Sequence, residues 1–101
     1  MLNQVIIVGR ISELIRISDD YINMIISVPQ SFKNKDGEYG VDLIDCKLIG
    51  NITNTTNDYC KIGNVVGIKG RLKINNDKNN NRIIEVIAEK VSFLGSKKVD
   101  E

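Results

Sequence analysis

A strict alternation of β-branched and polar residues constrains the fold of this chain more than any other feature. Residues 21–28 read YINMIISV, which puts Ile22, Met24, Ile26 and Val28 on one face. Successive side chains of a strand point to opposite sides, so a period of two indicates a strand with one buried face. Similar runs, rich in isoleucine and valine, recur along the chain and favour strands over helices.

Five strands and one short helix follow from this pattern. The first strand is predicted at 3–18 with a bend at Gly9, and the others at 21–28, 41–49, 64–74 and 82–94. Turns are predicted at Asp19-Asp20 and Asp36-Gly37, and Pro29 is expected to end regular pairing of the second strand. The polar segment at 51–63 predicts the helix, which Asn51 caps and Gly63 closes.

The side chains predicted to share one face in each of the last three strands alternate in the same way, and those of the fifth strand are expected to point inward. They are Asp42, Ile44, Cys46 and Leu48, then Val66, Ile68, Leu72 and Ile74, then Ile84, Val86 and Ala88. A helix between the third and fourth strands of a five-stranded Greek-key barrel is the arrangement of the OB fold. We therefore predict an all-β OB-fold barrel over residues 1–95, followed by a short disordered tail at 96–101.

Composition argues against catalysis and against a metal or cofactor site. The chain has no histidine, which is the commonest general base near neutral pH, and only two cysteines. It carries no phosphate-binding glycine loop, nucleophile motif or cluster of metal ligands. Cys46 and Cys60 are interpreted as reduced thiols, and no run approaches the length of a membrane span. The N-terminus lacks the features of a secretory signal, so we expect a cytoplasmic protein.

Several segments, in order, resemble the bacterial single-stranded DNA-binding protein family. They are LNQVIIVGRI (2–11), FKNKDGEY (32–39), DLIDCKLIG (42–50), KIGNVVGIKGRL (61–72) and EVIAEKVSFL (85–94). The resemblance implies an OB barrel that binds single-stranded DNA with little sequence preference, in replication, repair or recombination. It also implies a homo-oligomer, dimer or tetramer, in which the first strand pairs with its copy around Gln4, Ile6 and Val8, and replication proteins as further partners.

The resemblance also shows departures from the family. The family's acidic C-terminal tip, which recruits other replication proteins, is missing, since the chain stops at Val99-Asp100-Glu101. The chain is therefore either shortened or a specialised paralogue without that recruiting role. Leu43 and Ile49 stand where the family has aromatic residues on the third strand.

Binding of single strands needs cations for the phosphates and flat rings for the bases. The predicted binding residues are the rings of Phe32 and Tyr39 and the cations Lys33, Lys35, Lys47, Arg71, Lys73 and Lys78. Since the net charge is only +1 and aromatic residues make up 5%, attraction must come from how charge is arranged. We expect weaker affinity than is usual in the family and a greater reliance on charge.

Each of these residues also has a structural interpretation. The fourth-strand cations can be a solvated face, Lys33 and Lys35 can merely solubilise a loop, Tyr39 can be a surface tyrosine, and Phe32 can cover one end of the barrel. Two other functions stay open. One is an interaction module, resembling primosomal replication protein N, that acts mainly through protein contacts. The other is binding of RNA rather than DNA.

Overall fold

The computed structural model describes residues 1–96, and it confirms the predicted order of five strands and one helix. All of the predicted tail except Ser96 lies outside the described residues. The elements are β1 (Val5–Ser18), β2 (Tyr21–Lys33), β3 (Tyr39–Ile49), α1 (Ile52–Tyr59), β4 (Val65–Asn76) and β5 (Arg82–Gly95). The strands close into a barrel in the order β1-β2-β3-β5-β4, with α1 between β3 and β4 along the chain. This is the predicted OB architecture.

The long strand β1 serves two neighbours in turn. Its first part, from Val5 to Arg10, pairs with β4, and its second part, from Arg10 to Ser18, pairs with β2. Gly9 lies at this change of partner, where a Cβ atom would meet the carbonyl oxygen of Ser27 at 2.5 Å. Only glycine fits so close an approach of two backbones. The predicted irregularity near Gly9 is confirmed, with a register shift between Ile11 and Glu13.

A short parallel contact closes the barrel. Cys46 pairs with Val86 and Lys47 with Ile87, whereas β4 and β5 pair antiparallel over nearly their whole length. The β4–β5 register shifts between Lys69 and Gly70, and a Cβ atom on Gly70 would lie 2.0 Å from the carbonyl oxygen of Ile87. Beyond this point the two strands continue as a hairpin arm.

The aliphatic core matches most of the predicted inner faces. The buried apolar residues are Ile7, Ile11, Ile22, Met24, Ile26, Cys46, Leu48, Cys60, Val66, Ile68 and Ala88. The prediction was wrong for Ile84, which is 64% exposed, and the inner-face residues Leu72 and Ile74 are also exposed. These three lie on the hairpin arm, where Leu72 pairs with Val86 and Ile74 with Ile84. They keep the predicted alternation, but Ile74 and Ile84 lie beyond the residues that close the barrel, and Leu72 lies at that boundary, opposite Val86.

The ends of α1 differ from the prediction. Asn51 occupies the N-cap position, but its side chain makes no capping hydrogen bond. Instead the hydroxyl of Thr53 donates to the carbonyl oxygen of Gly50 at 2.8 Å. The helix ends at Tyr59 with Cys60 as its C-cap, whereas Gly63 lies in the following turn and donates its N–H to the carbonyl of Ile11. Gly63 is therefore held by β1 of the barrel and does not end the helix. No helix in the part of the chain described here is long and apolar enough to cross a membrane.

Candidate nucleic-acid interface

The outer faces of β2 and β3 form an open surface, and in OB folds this face and the loops beside it bind oligonucleotides. The outward residues of β3 are Val41, Leu43, Asp45, Lys47 and Ile49, of which only Lys47 is half-buried and the rest are exposed. The register places Tyr21 opposite Ile49 and Asn23 opposite Lys47 on β2. The surface is therefore mainly aliphatic and carries charges of both signs.

The hairpin between β2 and β3 brings four of the predicted site residues together. Phe32 is 83% exposed, so the interpretation that it covers an end of the barrel is wrong. The ammonium nitrogen of Lys33 lies 5.6 Å from the centroid of the Tyr39 ring, within the range of a cation–π contact. Lys35 lies in the loop between the strands and is exposed. The hairpin therefore presents two exposed aromatic rings, and Lys33 lies near that of Tyr39.

The shape of this hairpin depends on Pro29 and Asn34. Pro29 pairs with Val41 and Lys33 pairs with Tyr39, so the β2 side carries two extra residues between these pairs. The predicted end of regular pairing at Pro29 is confirmed. The Asn34 side-chain oxygen accepts the N–H groups of Asp36 at 2.9 Å and of Glu38 at 3.0 Å, which closes the loop. Sequence analysis recognised the turn but not this role of Asn34.

Lys47 is a predicted site residue whose surroundings the sequence did not reveal. Its ammonium group forms an ion pair with the carboxylate of Glu85 on β5, and the same carboxylate accepts a hydrogen bond from the Asn75 amide. The nitrogen of Lys47 also lies 5.8 Å from the centroid of the Tyr21 ring. Lys47 therefore lies on the outer face of β3, where Glu85 offsets its charge.

The remaining predicted cations lie on β4 and at the β4–β5 tip. Arg71 lies 3.7 Å from the carboxylate of Glu89 in an exposed ion pair. Lys73 and Lys78 are exposed and form no ion pair within residues 1–96. Beside Lys78, the carboxylate of Asp77 accepts backbone N–H groups from Asn81 and Asn79, and these hydrogen bonds lower the pKa of Asp77 below its ordinary value. These hydrogen bonds to Asp77 therefore hold the turn between β4 and β5 closed.

A cleft of about 300 Å³ lies between residues of β1, β2, β3 and β5. It is lined by Ile17, Tyr21, Asn23, Asp45, Lys47, Ile83, Ile84 and Glu85. Sequence analysis missed Tyr21, Asn23 and Glu85 as members of the site. The alternation of β2 already puts Tyr21 and Asn23 on the outer face, but the pairing that brings Glu85 to Lys47 joins strands far apart in the sequence.

The exposed hairpin and the cleft lie at opposite ends of β3. Tyr39 and Lys47 are eight residues apart on this strand, which corresponds to about 26 Å at about 3.3 Å per residue. Binding sites of single-stranded nucleic acid on one OB fold cover about 4 to 16 nucleotides. A single strand can therefore contact both ends.

A separate apolar surface lies on β1. The predicted interface residues Gln4, Ile6 and Val8 are all exposed, Ile6 by 70% and Val8 by 52%. In the described residues, Val5 to Gly9 pair with β4 alone, so the other side of this stretch is an unpaired strand edge. Leu94 of β5 is also exposed and lies near Val8 across Gly67.

Comparisons with known proteins agree with this geometry. Residues 2–94 match the sequence model of the Single-strand binding protein family. The chain is 31% identical to Single-stranded DNA-binding protein B of Bacillus subtilis, over 96% of this chain and 94% of that protein. It is 30% identical to Single-stranded DNA-binding protein 1 of Clostridium acetobutylicum, over 96% of this chain and 97% of that protein.

Two solved structures have the same fold. The single-stranded DNA binding protein from Thermus aquaticus superposes with a TM-score of 0.74 at 19% identity, over 92% of this chain and 50% of that chain. The Plasmodium falciparum SSB complex with ssDNA superposes with a TM-score of 0.67 at 18% identity, over 93% of this chain and 96% of that chain.

Proposed function

This chain belongs to the single-strand binding protein family, and on that premise we propose that it binds single-stranded DNA across the outer face of β2 and β3. Binding is non-catalytic, relies on base stacking and phosphate contacts, and serves replication, repair or recombination. The observation that carries the proposal is the β2–β3 hairpin, which exposes the rings of Phe32 and Tyr39 and holds Lys33 near the Tyr39 ring. An exposed ring gains free energy when a base stacks on it.

Stacking is concentrated at few positions. Phe32 is exposed, and Tyr39 is 58% exposed with Lys33 near its ring. Leu43 and Ile49 on β3 are also exposed but have no π face. Base–aromatic stacks contribute about 1–3 kcal/mol each, and an aliphatic side chain offers apolar contact alone. The affinity should therefore be lower than for a family member with aromatic residues at all these positions.

The charge available to phosphates is smaller than the number of predicted cations suggests. Glu85 offsets Lys47 and Glu89 offsets Arg71, so four predicted cations remain without an ion pair in the described chain: Lys33, Lys35, Lys73 and Lys78. Each phosphate contact on a single strand contributes about −0.7 to the slope of log K against log salt. Four contacts give a slope of about −3, against about −4 for six.

A second copy of the chain is the proposed partner of the β1 edge. Ile6 and Val8 are exposed apolar side chains beside backbone groups that have no strand partner in residues 1–96. Edge strands of this kind are normally covered or paired. Pairing of β1 with its copy, as the family resemblance implies, buries both features and gives a dimer or a tetramer.

The same proposal places the protein in the cytoplasm. Cys46 and Cys60 are both free and buried, and burial raises the pKa of the Cys46 thiol to about 11, with the neighbouring charge of Asp45 as the lesser cause. Such protonated, inaccessible thiols are compatible with a reducing compartment.

An interaction module that works mainly through protein contacts is the second candidate. The net charge of +1 and the ion pairs at Lys47 and Arg71 favour it, because both reduce attraction to a polyanion. In that case the exposed apolar surface of β1 binds a replication protein, and DNA binding is negligible even at low salt.

Replacing Phe32 with alanine tests the proposal directly. In titrations of a fluorescently labelled dT oligomer, Phe32→Ala should weaken binding about 5- to 150-fold, as expected from the loss of one stack. Stability should change by no more than about 0.5 kcal/mol, because the side chain is exposed. Tyr59→Ala is the matched control, since Tyr59 is a 69% exposed ring on α1 and should leave affinity unchanged. Absence of binding by the unmodified protein at low salt would reject DNA binding.

Removing the charge of Glu85 should strengthen binding. Glu85→Gln keeps the shape of the side chain but releases Lys47 for a phosphate, so the salt slope should steepen by about 0.7. The slope is obtained from affinities for a dT oligomer at several salt concentrations. Asp58→Asn on α1 makes the same change of charge away from the binding face and should leave the slope unaltered. An unchanged slope in Glu85→Gln would contradict the role assigned to Lys47.

Assembly is tested by Ile6→Lys. A charge in the proposed β1 interface should dissociate the oligomer to a monomer, because it would be buried without a partner. Light scattering coupled to size-exclusion chromatography measures the mass. Ile62→Lys is the control, as Ile62 is 64% exposed in the loop after α1 and should leave the mass unchanged. An unmodified protein that is already monomeric would rule out this interface.

A further inference from the structure

The cleft at the far end of β3 has walls that suit a flat apolar ring. Tyr21 of β2, Ile17 of β1 and Ile83 of β5 line it, and the ammonium group of Lys47 approaches the Tyr21 ring. Its volume of about 300 Å³ is at the lower end of pockets that bind small molecules. The turn between β1 and β2 and the loop between β4 and β5 border this end of the sheet, and both loops take part in ligand binding by OB folds.

The polar groups of the cleft are mainly acceptors. The carboxylate of Asp45 is exposed and has no hydrogen bond or ion pair within the described residues. The side-chain oxygen of Asn23 is buried and also lacks a partner, an unfavourable state that a hydrogen-bond donor would relieve. Glu85 already accepts from Lys47 and Asn75. Asp45 is therefore an acceptor open to a ligand, and the covered, unpaired oxygen of Asn23 lies in the wall of the same cleft.

The charges of the cleft disfavour a phosphate. Asp45 and Glu85 are two carboxylates against the single ammonium of Lys47, so the lining groups have an excess of one negative charge. A phosphate oxygen is repelled by such a site, whereas a nucleobase is neutral. A base also combines apolar faces with a polar edge, which matches apolar walls around unpaired acceptors. The backbone of a bound strand must then follow the lysines outside the cleft.

The identity of the base follows from its edge. Cytosine and adenine carry exocyclic amino groups that donate hydrogen bonds, and Asp or Glu side chains accept from the cytosine N4 amino group. Thymine has a carbonyl oxygen, O4, at the corresponding position. That oxygen would face the Asp45 carboxylate, where two acceptors repel each other.

We propose that this cleft is a nucleobase pocket that prefers an amino-bearing base, cytosine in particular, over thymine. The proposal rests on the single-strand binding proposed above and adds a bias at one nucleotide position. The remaining positions, at the β2–β3 hairpin and along the strands, stay indifferent to sequence. Tyr21 supplies the stacking surface, and Asp45 supplies the acceptor.

Equilibrium titrations of labelled dC and dT oligomers of equal length test this preference at neutral pH. The unmodified protein should bind dC at least about fivefold more tightly than dT, the smallest ratio expected for one specific contact. Asp45→Ala should bring the two affinities together, because the acceptor for the amino group and the repulsion of O4 are both lost. Asp36→Ala is the matched control, since it removes one carboxylate from the β2–β3 loop and should raise both affinities without changing their ratio.

The outcomes separate this inference from the function on which it rests. Tight dT binding with no preference for dC would overturn the base pocket and leave the proposed function standing. A dC preference that persists in Asp45→Ala would also overturn it, because the discrimination would then arise elsewhere. Failure of the unmodified protein to bind either oligomer at low salt would remove both proposals together.

Discussion

The short parallel contact between β3 and β5 is the interaction on which the rest of the structure depends. It joins Cys46 to Val86 and Lys47 to Ile87, and without it the other four strand pairings form an open sheet. On the inner side it completes the core around the fully buried Cys46. On the outer side it brings Glu85 to Lys47. One backbone pairing therefore sets both the closure of the barrel and the charge of the binding face.

This constraint explains the unusual balance of the proposed binding surface. The face carries little positive charge along β3, because Lys47 is already paired with Glu85. Rings and unpaired lysines are found instead at the β2–β3 hairpin, and a cleft with acceptor groups lies at the other end of the sheet. A single strand on this surface would be held at its ends by different chemistry, with stacking and phosphate contacts at one end and a base edge at the other. Leu43 offers an aliphatic contact between the two.

The sequence was sufficient where the physical signal was local. Alternation located the strands and the inner residues Ile22, Met24 and Ile26, because their periodicity is visible within a few residues. It misplaced Ile84, since alternation tells which side a residue faces but not where the barrel ends along a strand. It found Lys47 but not its partner Glu85, because contacts between strands far apart in the sequence leave no local pattern. The prediction that Gly63 ends the helix was wrong for a related reason, because Gly63 bonds to β1 and not to the last turn of the helix.

Isoleucine methyl spectra recorded during titration with an oligonucleotide test the central claim, that the outer face between the hairpin and the cleft contacts the strand. Isoleucine is common in this chain and occurs in all five strands and in α1. The account predicts large shifts for Ile17, Ile49 and Ile83, which lie on the proposed face, and none for Ile52 and Ile62 near α1. Shifts confined to Ile52 and Ile62, or to Ile6 at the β1 edge, would contradict it.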